Sequence, residues 1–256
     1  MTLNILTPGI GFYADRVRKG DPFSLVRYGE GDLRLAVPTL TAKGDDPRSR
    51  GSKDTQANAR VWANPNARSI FRGTLACPHD SSRYWVALWH LNIMKRSQRL
   101  ERIEEWLAKV GQEKREYHDG SVWRIAVEKR QLGEMMNAIR SQPLPVVVVA
   151  PERMVSIRER LPVAKFIPSS IPCGPDAIPT LQEEILGVNE PVLVVFSAAA
   201  AAKVLIHRLF PLVGEHSFLI DFGASLDGLC GNRIRGYHGP KSLTEEAIEV
   251  NWGDIR

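Results

Sequence analysis

Residues 192–221 read VLVVFSAAAAAKVLIHRLFPLVGEHSFLID. The apolar, strand-favouring run Val192 to Phe196 leads into Ser197 and a run of alanines that open a helix, and Ser217 to Asp221 forms a second apolar run ending on an acid. A strand, a helix and a strand in that order make the repeating unit of a parallel sheet with helices packed on it. The same alternation extends upstream to about residue 120, where Val122 to Val127, Val146 to Ala150 and Val163 to Pro168 read as further strands. Between them, Leu132, Met135, Met136 and Ile139, and then Leu181, Ile185 and Leu186, fall at helical spacing. The fold class expected is α/β, a mostly parallel sheet flanked by helices, in a single domain spanning 1–256.

The first half is less regular. Leu100, Ile103, Leu107 and Val110 trace the apolar stripe of a charged helix. Phe23 to Arg27 reads as a strand, Gly29 to Asp32 as its turn, and Leu33 to Leu40 as a helix interrupted by Pro38. Residues 41–58, TAKGDDPRSRGSKDTQAN, are polar and contain Gly and Pro, the composition of a mobile surface loop.

Composition narrows the function classes. Of 256 residues, 43% are hydrophobic and 25% charged, which excludes a disordered, collagenous or coiled-coil chain. The run from Val192 to Ile206 contains Ser197 and Lys203 and falls short of the ~20 apolar residues of a spanning helix. No membrane span is expected. The N-terminus shows no basic leader followed by an apolar stretch, so the expected location is the cytoplasm. Three separated cysteines, Cys77, Cys173 and Cys230, read as free thiols, and Cys77 with His79 lacks the partners of a structural zinc site. A net charge of +5 favours an anionic partner. Residues 41–60 carry five basic groups against three acids, and 228–241 carry Arg233, Arg235 and Lys241 with no acid.

Chemistry concentrates in two stretches. In the first, a strand ends in Arg27-Tyr28-Gly29-Glu30-Gly31-Asp32. Glycines let the backbone approach a ligand, two carboxylates two residues apart can hold a divalent cation, and Arg27 can neutralise phosphate. The same acids can instead cap the helix that follows. In the second stretch, Asp221, Phe222, Gly223, Ala224, Ser225, Leu226 and Asp227 precede Arg233, Arg235, Tyr237 and His238. Acids there suit sugar hydroxyls and arginines suit a diphosphate. Ser197 and its alanines open a positive helix end at a strand terminus, where small residues admit a nucleotide.

Together these residues resemble the glycosyltransferase D-fold family, small metal-dependent bacterial glycosyltransferases with a Rossmann-like sheet. That family's signature is a strand followed by Arg-aromatic-Gly-acid-Gly-acid, usually with Asp first and Glu second. Here the acids are exchanged, as Glu30 and Asp32, and Ala224 stands where many relatives have His after the Asp-x-Gly element. The resemblance implies transfer of a sugar from a nucleotide-diphosphate donor, with a UDP-sugar first among the candidates, to an acceptor hydroxyl on a glycan or on a hydroxylated nucleobase in DNA. It implies Mn²⁺ or Mg²⁺ on Glu30 and Asp32, donor binding by Arg27, Gly29, Gly31, Ser197, Arg233, Arg235, Tyr237 and His238, and catalytic work by Asp221 and Asp227. A competing reading is a non-catalytic nucleic-acid-binding protein using the basic surface with Trp62, Trp85, Trp89 and Trp123 as stacking platforms. A methyltransferase, with Gly29-Glu30-Gly31 as a cofactor loop, ranks last.

Overall fold

The structure, a computed structural model, describes residues 3–37, 53–88, 98–188, 191–232 and 243–254, leaving aside the side chains of Glu30, 53–55 and 98–99. Eight strands among them form one sheet: β1 (Asn4–Leu6), β2 (Ser24–Tyr28), β3 (Tyr84–Leu88), β4 (Glu116–Asp119), β5 (Val146–Pro151), β6 (Val163–Ser169), β7 (Leu193–Phe196) and β8 (Phe218–Asp221). Their spatial order is β1-β4-β3-β2-β8-β7-β5-β6, and every pairing is parallel. The first four strands in sequence build one half and the last four the other. The halves meet where β2 pairs with β8, Ser24 opposite Leu219 and Leu25 opposite Ile220.

Helices cover both faces because the strands alternate. Val26, Tyr28, Val147, Val149, Val194, Phe196 and Leu219 point into one core, while Leu25, Val146, Val148, Leu193, Val195, Phe218 and Ile220 point into the other. The first core is closed by α2 (Glu30–Ala36), α3 (Lys53–Trp62), α4 (Pro65–Ala76), α5 (Gln98–Lys109), α8 (Ile178–Leu186) and α9 (Ala199–Val213). The second is closed by α1 (Ile10–Arg18), α6 (Val122–Glu128), α7 (Gly133–Ser141), α10 (Glu245–Trp252) and a 3₁₀ segment, Glu152–Glu159. The expected α/β class holds.

Several local expectations are corrected. Val122 to Val127 is not a strand but α6: its buried residues, Val122, Trp123, Ala126 and Val127, recur at helical spacing, which outweighs the valines' strand preference. The helix after the Gly-containing turn begins at Glu30 and ends at Ala36, ahead of Pro38. The polar loop ends sooner than expected, since Lys53 already begins α3; residues 38–52 lie outside the described residues. Trp85 lies on β3, and Trp89 is outside the described residues. The short strands β1, β3 and β4 were not anticipated; at three to five residues they carry too little periodicity to read.

His207 and His118 are both enclosed in this frame. Pro211 in α9 has no N–H to give the carbonyl of His207 four residues earlier, and His79 Nε2 approaches that carbonyl at 2.7 Å instead. His79 therefore serves the carbonyl that Pro211 leaves without its helical partner, and among the described residues no cluster of three or more His, Cys, Asp or Glu could hold a metal. Burial, followed by the neighbouring His79 and Arg208, lowers the His207 pKa to about 4. On the other face His118 shares a 2.7 Å hydrogen bond with the Tyr13 hydroxyl, and burial followed by the charge of Arg16 lowers its pKa to about 4.

Both imidazoles fold in the neutral form, whereas in the unfolded chain each takes a proton near its ordinary value of 6.5. Stability from these groups is complete above that value and is lost as pH falls toward 4, because the unfolded state binds more protons in that window. Thermal melts between pH 7 and pH 5 should show a fall of about 5 °C or more. A His118→Gln/His207→Gln variant should lose most of that slope.

Candidate active site

Ligand crevices in open parallel sheets lie beyond the carboxyl ends of strands, where neighbouring crossovers diverge. Here that place is the end of β2 and β8, flanked by β7. Three turns leave it: Gly29 into α2, Ser197 and Ala198 into α9, and Phe222 into a 3₁₀ turn, Gly223–Ser225.

The α2 turn is built by Asp32. Its Oδ2 accepts a hydrogen bond from the backbone N–H of Gly29 at 2.8 Å, the reciprocal bond of a helix start. The helix-capping alternative is thus met, but capping does not exhaust the carboxylate. Lys203, on the second turn of α9, brings Nζ to 3.3 Å from the same Oδ2 and to 3.0 Å from Oδ2 of Asp221. It also donates to the carbonyl of Ala199 at 2.9 Å. The side chains differ sharply in access: Asp221 is 0% exposed, Lys203 3% and Asp32 18%. Asp32 is the member of the trio that reaches solvent.

Asp221 is also held through its other carboxylate oxygen and its carbonyl. Its Oδ1 accepts from Gly223 N–H at 2.8 Å, and its carbonyl accepts from Trp123 Nε1 at 2.9 Å. The Trp123 ring stacks on Phe222, centroids 4.5 Å apart. Ser197 Oγ donates to the Gly223 carbonyl at 2.6 Å, tying the end of β7 to the turn after β8. Tyr28 and Arg27 leave β2 on opposite faces. Tyr28 bonds Thr74 at 2.7 Å, and burial raises its phenol pKa well above the ordinary value. Arg27 is 6% exposed and donates to the Gly120 carbonyl at 3.4 Å.

Gly223 is where the turn and Arg27 meet. Its φ is +55°, and a Cβ there would fall 2.0 Å from Arg27 Nη2. Only glycine combines that backbone with that approach. Ala199, at the start of α9, also has a positive φ, 48°, without the glycine to relieve it.

The expected site residues therefore divide. Arg27, Gly29, Gly31, Asp32, Ser197 and Asp221 lie on or beside these turns. Asp227, six residues beyond Asp221, has its Oδ1 3.0 Å from Arg153 Nη2. The side chain of Glu30 and all of Arg233, Arg235, Tyr237 and His238 lie outside the described residues. Lys203 was missed by the sequence reading. Its signal was a cation at an inward position of a helix whose other buried residues are all apolar. The nucleic-acid reading loses two platforms, since Trp62 and Trp123 are fully buried, and Trp85 is stacked between Phe23 and His118.

Gly223→Ala tests the turn. It should lower the melting temperature by about 5 °C or more, because the added methyl meets both positive φ and Arg27. An unchanged melt would show that the turn relaxes.

Neither a protein-family model nor a curated protein sequence matches the chain. Solved structures do. A structure described as a new glycosyltransferase, domain of unknown function 1792, from Streptococcus sanguinis superposes with TM-score 0.56 at 15% identity, over 88% of this chain and 82% of that one. A second, described as the highly conserved domain of unknown function 1792 with a distinct glycosyltransferase fold, gives TM-score 0.50 at 12% identity, over 86% and 78%. A selenomethionine-substituted structure of that domain gives 0.53 at 11% identity, over 87% and 79%. The chain shares the fold of these structures along nearly its whole length.

Proposed function

We propose that this protein is a metal-dependent glycosyltransferase that moves a sugar from a nucleotide-diphosphate sugar to an acceptor hydroxyl. The observation that supports it is the position of the Asp32, Lys203 and Asp221 cluster. It lies at the carboxyl ends of β2 and β8, where open parallel sheets bind their ligands, in a fold shared with structures described as glycosyltransferases. Glycosyl transfer leaves charge on the departing diphosphate, so the site has to supply positive charge and oriented N–H groups.

The donor set suits a divalent ion only in part. Two carboxylates face one ammonium, which leaves the trio one net negative charge, and the exposed member is Asp32. Mn²⁺ or Mg²⁺ takes one or two carboxylates and completes its shell with substrate phosphates and water. Asp32 would hold the ion, with Glu30 as the second carboxylate. When bound, the ion supplies charge against the leaving diphosphate.

The remaining work falls to the chain. The start of α9 carries no side-chain cap, so its N–H groups and positive end are suited to a phosphate. Asp221, fully buried, acts by holding Lys203 and the 223–225 turn. Asp227, paired with Arg153, anchors the loop that leads toward Arg233 and Arg235, which we assign to the diphosphate with Tyr237 and His238. The acceptor is a hydroxyl on a glycan or on a hydroxylated nucleobase in DNA.

UDP-, GDP- and CDP-sugars should be screened for donor hydrolysis with Mn²⁺ and with EDTA. At least one UDP-sugar should be turned over with Mn²⁺ and not with EDTA. Asp32→Asn should cut that turnover by about 100-fold or more. Its melting temperature should stay within about 3 °C of the parent, since Asn can still cap Gly29. No turnover of any donor under either condition overturns the reading. Adding hydroxymethylated duplex DNA or an oligosaccharide to the active donor distinguishes the two acceptors.

A further inference from the structure

Lys203 is not needed to pack α9. The helix buries Ala200, Ala201, Ala202, Val204, Leu205 and Ile206 around it, and an aliphatic side chain of similar length would fill the same space without desolvating a charge. Yet its ammonium lies against both carboxylates of the site, and the carbonyl of Ala199 takes a further contact. One group thereby ties together the turns after β2, β7 and β8.

We propose that Lys203 is a positioning residue of the transfer site: it fixes the Asp32 carboxylate against the 223–225 turn and neutralises Asp221, so that the remaining negative charge faces the donor on Asp32 alone. This rests on the glycosyltransferase reading above. Lys203 itself is too buried to be a ligand of the donor; it acts through Asp32. A purely structural ion pair with Asp221 would give a different pattern on substitution.

Lys203→Met alone leaves Asp221 buried without its counter-charge and should melt well below the parent. Lys203→Met/Asp221→Asn removes both charges and should regain most of that loss. If Lys203 positions Asp32, the double variant recovers stability but not function. Its donor turnover should stay down by about 100-fold. The amide hydrogen of Gly29, bonded to Asp32 Oδ2, should exchange with solvent about 10-fold faster than in the parent, while amides in the central strands keep their protection. In an Asp32→Asn background, removing Lys203 and Asp221 charge together should lower turnover by no more than about 3-fold further, since residues acting as a unit are not additive.

Recovery of parental turnover along with stability, or an unchanged Gly29 exchange rate in the double variant, overturns the proposal. The exchange measurement uses the protein alone. A parent inactive with every nucleotide sugar would therefore remove the functional reading while the positioning of Asp32 by Lys203 was still decided at Gly29.

Discussion

A lysine ammonium enclosed between two aspartates, at the line where the two halves of the sheet join, sets the geometry of this site. Nζ of Lys203 lies 3.0 Å from Asp221 and 3.3 Å from Asp32, and neither the lysine nor Asp221 has appreciable access to water. Removing one member of the buried Lys203–Asp221 pair typically costs about 3–5 kcal/mol, because the other charge stays behind without compensation. That cost is a constraint on three separate turns. Asp32 comes from the start of α2, Asp221 from the end of β8 and Lys203 from α9, so none can shift without disturbing the other two. Gly223 and Ser197 add to the same junction by a 2.6 Å hydrogen bond, and Arg27 occupies the space that a side chain at 223 would need.

The topology explains why these turns meet. Strands β1 to β4 and β5 to β8 each form a contiguous half, and only β2 and β8 pair across the divide. With all strands parallel, every carboxyl end lies on one edge of the sheet. The helices that follow β2 and β7 both run back along the same face, which brings the first turn of α2 beside α9. Asp221, on β8, then points to the face where α9 lies. The meeting of these turns follows from the order of the strands, and the charged trio from the residues placed at the end of β8 and in the opening turns of α2 and α9.

Much of this was legible in the sequence, and the failures have physical causes. The β7, α9 and β8 unit could be read because each element is long or strongly apolar, and the turn at 27–32 because glycine and acid at a strand end are unusual together. Asp32 and Asp221 were both singled out, although nothing in the chain says that they face a common partner. That partner, Lys203, lies 171 positions from Asp32 by their residue numbers, a contact only the tertiary fold creates. The reading of 122–127 as a strand failed because valine preference was weighed above the spacing of Trp123, Ala126 and Val127. The ion pair that Asp227 makes with Arg153, 74 positions away, is likewise a contact only the tertiary fold creates.

On the function proposed above, the junction of β2, β7 and β8 receives a nucleoside diphosphate. The most direct test is to map backbone amide shifts by nuclear magnetic resonance on titration with UDP, using Mg²⁺ to avoid paramagnetic broadening. The largest shifts should cluster at Gly29 to Asp32, Ala198 to Ala200 and Phe222 to Ser225, and they should weaken when Mg²⁺ is withheld. Saturable shifts confined to another part of the molecule, with these three turns unmoved, would contradict it.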